Sequence, residues 1–376
     1  MKTTLVQSAL AERDYDYLTL DDPDLLEQAR AAPDELILRG PRLIIDEVQR
    51  SPDLLGAVKR AVDERREAGA FILTGSANLL LLHRVSETLA GRAVYLTLWP
   101  FTRLELMGMG ETGAWGAFFK EPRSTWADIV KTRLGPPQEW TELAQRGGYP
   151  TPAYHLSSPE DRERWFAGYA ATYLERDVQS LAAIEHLADF RRLMRVCCLR
   201  LGNLMNQADI ARDVGIAPTT AQRYLNLLEA SYQLLRLPAY SVNRTKRLTK
   251  APKLYWSDTA LALHLAGEPQ PRGAHLENLV VIDLLAWRDA QVRRPEILYW
   301  RTSKGAEVDF VIERGQELLA IEVKASSKVT HGDTRNLRTF LHEYADVVRG
   351  ALMLYTGDDV FWLSRDILAV PWWLAV

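Results

Sequence analysis

Short apolar runs alternate with longer amphipathic stretches through the first hundred residues. Tyr17-Leu18-Thr19-Leu20, Leu43 to Asp46, Phe71 to Thr74 and Ala93 to Leu98 read as strands. Pro23 to Ala31 and Pro52 to Glu67 have helical spacing, and Thr4-Leu5-Val6 continues a helix opened at Lys2. Strand, helix, strand order repeated in this way predicts parallel pairing with helices on the sheet faces.

The pattern then changes. Residues 109–145 are rich in Gly, Pro and Trp with weak periodicity, and read as a connector with short helices beyond a boundary near residue 110. From Ser158 to Leu199 the spacing is helical, including Tyr173-Leu174-Glu175-Arg176-Asp177-Val178, whose charges form a solvated or interdomain face. Ala208 to Val214 is a short helix, Gly215 suits a left-handed turn, and Pro218-Thr219-Thr220 opens a second helix through Leu228. This is helix-turn-helix spacing, with Thr219, Thr220, Gln222 and Arg223 on outward positions. Arg244, Lys246, Arg247, Lys250 and Lys253 follow in an acid-free stretch, as a basic wing would. The same module serves equally as a docking platform, so DNA and a protein partner both stand as expectations. The resulting layout is 1–108, 109–195, 196–262 and 263–376.

At 376 residues the chain predicts two or three domains. A formal net charge of −3 excludes a protein dominated by electrostatic nucleic-acid binding but leaves local basic patches open. The two cysteines, Cys197 and Cys198, are adjacent and poorly placed to bridge each other or to ligate zinc, which fits a reducing cytoplasm. No apolar run approaches the roughly 18 residues of a membrane span, so no membrane partner is expected. The Ala369-to-Leu374 stretch reads as a tail packed on the last domain.

Two sets of residues carry candidate chemistry. Lys2-Thr3 has the residue types that close a phosphate-binding loop of the form GxxxxGK[ST], where a helix begins beside backbone N–H groups that wrap phosphate oxygens. Leu43-Ile44-Ile45-Asp46-Glu47 is an apolar strand ending in two carboxylates, at the sheet edge where open α/β folds place ligands. Asp46 would hold Mg²⁺ through its water shell, and Glu47 would polarise the water attacking a γ-phosphate. The bland alternative is an ordinary strand end and solvated turn.

The second set lies near the C-terminus. Glu277 falls on a helix through Leu285, Asp309 in the strand Val308 to Val311, and Glu322-Val323-Lys324 at the end of the next strand. Strand alternation puts Glu322 and Lys324 on one face, where Asp309 can meet Glu322 across the ladder. Two carboxylates and a backbone carbonyl make an oxygen site for Mg²⁺, and Lys324 beside them can orient or deprotonate water for phosphodiester attack, with Glu277 tuning metal or water. The alternative is a charged hairpin whose carboxylate and lysine are structural.

Taken in order, these motifs resemble a prokaryotic family of AAA-superfamily ATP-binding proteins. Its members join a P-loop ATPase core to a C-terminal domain of unknown function with a winged helix and a PD-(D/E)xK-nuclease-like end. The landmarks stand here as Lys2-Thr3-Thr4, Leu43 to Arg50, Leu73 to Asn78, Leu89-Ala90-Gly91-Arg92, Gly147-Gly148-Tyr149-Pro150, Tyr173 to Asp177, Pro252 to Asp258, and Glu277, Asp309, Glu322 and Lys324. The implied fold is α/β throughout: a P-loop-type parallel sheet lacking its first strand, a helical connector, a winged helix and a C-terminal α/β restriction-endonuclease-like domain.

The resemblance implies ATP and Mg²⁺ as ligands, with Lys2 on the β- and γ-phosphates and Thr3 and Asp46 on the metal. Ser76 or Asn78 would sense the γ-phosphate, and Arg92 would stabilise transition-state charge in its own subunit or an oligomeric neighbour's. Ser76 and Asn78 equally suit a turn, and Arg92 a surface loop. The family also carries a strand and glycine-rich loop ahead of the Lys, where this chain has Met1 in place of the second glycine. Without that strand two neighbours would lack hydrogen-bond partners, a cost well above a domain's margin of about 5–15 kcal/mol. A start assigned too late is favoured over a decayed gene product, and the chain as written is expected to bind ATP poorly. Three functions follow: an ATPase coupled to its C-terminal module, a metal-dependent nuclease or DNA-binding protein, or a docking protein that uses neither site.

Overall fold

A computed structural model describes residues 2–10, 13–75, 88–110, 113–132, 137–172, 184 and 186–376. The chain divides into two compact units, one running to Leu98 and the other from Trp99 to Val376.

In the first unit β1 (Asp16–Thr19), β2 (Leu43–Asp46) and β3 (Phe71–Leu73) form a parallel sheet in the order β1-β2-β3. The apolar run Leu43-Ile44-Ile45 makes β2 the central strand, buried along its whole length. Helix Pro23–Ala31 starts where the Asp22 carboxylate accepts from the Asp24 and Leu25 amides, with Pro at the first turn where no N–H is needed. Leu25 and Leu26 of that helix and Leu54, Leu55 and Val58 of helix Leu54–Arg65 pack with Leu18, Leu43 and Ile45 in one core.

Residues 93–98 form no strand, contrary to the expectation from their alternation. Val94 and Leu96 are 88% and 83% exposed. Alternation marks a segment that fits a half-buried sheet, but backbone partners make the strand, and these residues pair with none of the three strands.

The second unit begins with short helices, among them Trp115–Lys120, Trp126–Thr132 and Trp140–Arg146, that bury Trp115, Phe118 and Trp126. Trp99 to Leu106 belongs to this unit. The Phe101 amide donates to the Gly148 carbonyl at 2.8 Å, and the buried Arg103 guanidinium donates to the Trp373 carbonyl at 2.8 Å.

Helix Leu187–Leu199 precedes helices Gln207–Val214 and Pro218–Ala230. The Asn206 side chain caps the first of that pair, and Gly215, at φ +79°, ends it in the left-handed region that favours glycine. β4 (Leu234–Leu237) and β5 (Lys253–Trp256) then form an antiparallel pair, and Leu204 bridges to Lys253.

β6 (Glu296–Arg301), β7 (Glu307–Arg314), β8 (Glu317–Lys324), β9 (Val348–Tyr355), β10 (Phe361–Ser364) and β11 (Ile367–Pro371) form a mixed sheet in the order β10-β11-β9-β8-β7-β6. β6, β7 and β8 are consecutive antiparallel neighbours, whereas β9 pairs parallel with both β8 and β11. Gly315, at φ +67°, supplies the tight turn between β7 and β8. Helix Gly273–Asp289 packs on β6 and β8, and helix Arg335–Glu343 on β7, β8 and β9. No helix among the described residues is long and apolar enough to cross a membrane.

Candidate functional site

The helix Lys2–Ala9 has no buried residue, yet its first turn carries two contacts to the ends of the sheet. The Thr3 hydroxyl donates to Asp46 Oδ2 at 2.6 Å, and the Lys2 ammonium donates to the carbonyl of Gly75, just past β3. Asp46 is 3% exposed, where an isolated carboxylate would be costly. It is satisfied by the Tyr17 hydroxyl at 2.7 Å, the Thr74 hydroxyl and the Glu47 amide besides Thr3. Burial pushes its pKa up, but the hydroxyls of Thr3, Thr74 and Tyr17 and the Glu47 amide together hold it below the ordinary value. Asp46 therefore stays ionised through neutral hydrogen-bond donors, with the charge of Lys2 also acting on it.

Glu47 sits at φ +57°, ψ +37°. A left-handed backbone is uncommon for a residue with a side chain, and such conformations cluster at functional positions. Its carboxylate accepts from Gln49 Nε2. Lys2, Thr3, Asp46 and Glu47 thus gather at one end of the sheet. Arg92 is engaged elsewhere, in a two-point ion pair with Asp63. Ser76 and Asn78 lie outside the described residues, as do Tyr173 to Asp177. Tyr17 and Thr74 escaped sequence reasoning, although each lies on or beside a strand that pairs with β2.

In the second unit two of the expected acids, Glu277 and Asp309, meet around a lysine that sequence reasoning placed elsewhere, together with Glu307, which it did not name. Lys253, 2% exposed at the start of β5, brings its ammonium to 2.6 Å from Glu307 Oε1, 3.0 Å from Asp309 Oδ1 and 3.7 Å from Glu277 Oε2. The other Asp309 oxygen accepts from the Val323 amide at 2.9 Å, and Glu277 Oε2 also accepts from the Tyr255 hydroxyl at 2.7 Å. Lys324 donates to Glu322 Oε1 at 2.7 Å, so the two share a face as alternation requires. Glu322 Oε2 is buried with no hydrogen-bond partner.

Burial, with the Asp309 charge adding to it, raises Glu277 to about 7 and Glu322 to about 8. Lys253 moves up, because Asp309, Glu277 and Glu307 together outweigh the burial that opposes its charge. Among the described residues no group of three or more His, Cys, Asp or Glu side chains is arranged to hold a metal ion. Magnesium at Glu277, Asp309 and Glu322 therefore does not fit this arrangement.

The basic-wing expectation also needs correction. Arg247 is 6% exposed and pairs with Glu296 at 2.8 Å and Glu313 at 2.5 Å, while donating to the Ser241 carbonyl at 2.7 Å. Of the five cations from Arg244 to Lys253, only Arg244, Lys246 and Lys250 face solvent. Sequence alone cannot distinguish a solvated cation from one paired with acids fifty residues away. One usable sign was the isolated charge in the otherwise apolar run Leu254-Tyr255-Trp256 beside it.

Comparison with known proteins fits these features. Residues 2–107 match the family described as AAA domain, residues 137–272 a domain of unknown function (DUF8612), and residues 272–375 a domain of unknown function (DUF4143). Uncharacterized proteins of Mycobacterium tuberculosis and Mycobacterium bovis are each 31% identical over 380 residues, covering 98% of this chain and 77% of their own length. An uncharacterized protein of Haemophilus influenzae is 21% identical over 283 residues, covering 74% of this chain and 64% of its own. No solved structure gives a significant match.

Proposed function

The chain belongs to the same family as these mycobacterial proteins, and from that premise we propose an ATP-binding AAA-type protein that couples nucleotide binding and hydrolysis to a C-terminal module engaging DNA or protein. The observation that carries this reading is the Thr3 hydroxyl 2.6 Å from an Asp46 carboxylate kept ionised by neutral donors. An anionic, hydroxyl-lined position at the C-terminal end of a parallel sheet suits a hydrated Mg²⁺, and Lys2 beside it suits phosphate. Thr3 and Asp46 would hold the metal, Lys2 the phosphates, and Glu47 would orient water. Bound Mg·ATP supplies the γ-phosphoryl group and the cation that offsets its developing charge. Ser76, Asn78 and Arg92 stay in this proposal as γ-phosphate contacts, Arg92 on leaving Asp63.

For the C-terminal module, the order helix, Leu204 bridge, helix, helix and β4–β5 hairpin supports a winged helix. The mixed sheet with Glu277, Asp309, Glu322 and Lys324 supports a PD-(D/E)xK-like ancestry without the metal chemistry. Thr219, Gln222, Arg223, Arg244, Lys246 and Lys250 are its exposed polar surface for a partner.

The test is ATP turnover by a chain given a strand and glycine-rich loop ahead of Lys2. Turnover is expected, with Glu47→Gln abolishing it while binding is retained. An extended chain that binds nucleotide equally well with Thr3→Ala and Asp46→Asn would overturn the assignment.

A further inference from the structure

The acids of β7, β8 and helix Gly273–Asp289 form a donor set of the kind that binds divalent cations, yet their centre is taken. We propose that Lys253 is the resident cation of this cluster: its ammonium stands where a divalent metal would sit, making the site metal-free and tying the β4–β5 hairpin to the mixed sheet.

Three observations support this. The ammonium reaches three carboxylates from two elements, Glu307 and Asp309 on β7 and Glu277 on the helix, at 2.6, 3.0 and 3.7 Å. Divalent cations need several oxygens converging on one point, and here one oxygen each of Glu307, Asp309 and Glu277 faces the ammonium, the second Asp309 oxygen accepts from the Val323 amide, and the second Glu307 oxygen pairs with Arg301 at 3.3 Å. The lysine is also delivered by a fixed backbone. Lys253 pairs with Leu237 of β4 and bridges to Leu204, and the next residue bonds on both sides, Leu254 N to the Asn203 carbonyl at 3.0 Å and Gly202 N to the Leu254 carbonyl at 2.8 Å. Asn278, one residue after Glu277, adds a clamp, its side chain bonding both the amide and the carbonyl of Trp256 at 2.8 and 2.9 Å.

Arg247 repeats the device at a second position, from the same Arg244-to-Lys253 segment onto Glu296 of β6 and Glu313 of β7. Two cations of the segment are thus internal counter-ions that join the hairpin region to the sheet, and the acids they meet are no longer available to metal.

The probe is Mn²⁺ alone, followed by electron paramagnetic resonance on the full chain carrying Asp46→Asn to remove the nucleotide-side metal position. That chain is expected to show no Mn²⁺ uptake that depends on Asp309. Adding Lys253→Met is expected to create one further Mn²⁺ site per chain, with an affinity gain of roughly tenfold or more, lost again on Asp309→Asn. A folded Lys253→Met chain with no added uptake would overturn the proposal, as would Mn²⁺ bound with Lys253 in place and lost on Asp309→Asn. Should the Lys253 variant fail to fold, the Asp46→Asn chain with and without Asp309→Asn still decides: equal uptake supports the resident cation, and unequal uptake refutes it. Failure of ATP binding by the first unit leaves every arm of this comparison unaffected.

Discussion

Two buried aspartates, Asp46 and Asp309, end up in opposite electrostatic settings. Asp46 is wrapped by neutral donors, the hydroxyls of Thr3, Tyr17 and Thr74 and one amide. These favour the charge without cancelling it; Lys2 is near enough for its charge to act on Asp46 but bonds the Gly75 carbonyl, so the position retains an attraction for an outside cation. Asp309 shares an ammonium with Glu277 and Glu307, so a cation supplied by the fold already stands at its oxygen. A carboxylate cluster is therefore a site for a ligand only where the protein has not supplied the counter-ion itself. A buried ion pair of this kind need not add net stability, but removing one partner strands the other.

The largest expected effect follows from that asymmetry. Lys253→Met should cost the second unit about 3–5 kcal/mol, because the largely buried Asp309 and Glu277 lose the ammonium beside them, while Glu307 keeps its pair with Arg301. Chemical denaturation measures it, and combining the change with Asp309→Asn should recover part of the loss. A cost within about 0.5 kcal/mol, the range of ordinary surface changes, would mean that the ammonium is not the balancing charge. Glu47→Gln comes next, with a loss of roughly 10²–10⁴-fold in ATP turnover by the loop-extended chain and little change in nucleotide affinity.

The pH dependence separates the two settings further. Glu277 and Glu322 bind protons more tightly in the fold than in the open chain, so their contribution is fully present below the open-chain value of 4.5. It is lost as pH rises through about 7 and about 8. Thermal melts of the second unit should fall across that window, and Glu322→Gln should flatten its upper half. Asp46 has the opposite sign: its stabilisation is present above 3.8 and fades as pH drops through its lowered pKa. The smallest effect should come from Lys246→Ala or Lys250→Ala, which change stability by no more than about 0.5 kcal/mol because both residues are exposed. Any larger change would place them in the same internal network as Arg247 and Lys253.

Much of the fold was legible in local pattern. Pro23–Ala31 and Leu43–Asp46 stand where periodicity and caps put them, and Gly215 and Pro218 mark the junction between the two short helices. Residues 93–98 misled because alternation reports suitability for a sheet and not the presence of a neighbour to bond. The acids of the second unit were found individually, since Glu277, Asp309 and Glu322 recur at helix and strand positions that alternation can place. Glu307 was missed: it lies two residues before Asp309 and hence on its face of β7, but nothing local distinguished it from a solvated strand-end charge.

Residue order alone specified a parallel sheet with Asp46 and Glu47 at the end of a buried strand, a helix opening at Lys2, and three acids and a lysine on consecutive C-terminal elements. Those properties depend on periods of two and of about 3.6 residues, which a linear chain displays. Packing decided which charges meet. Lys253 and Asp309 are 56 residues apart, and their 3.0 Å contact exists only because β5 lies against helix Gly273–Asp289 and β7. Coulomb energies depend on distance and burial, and neither is written in the order of residues.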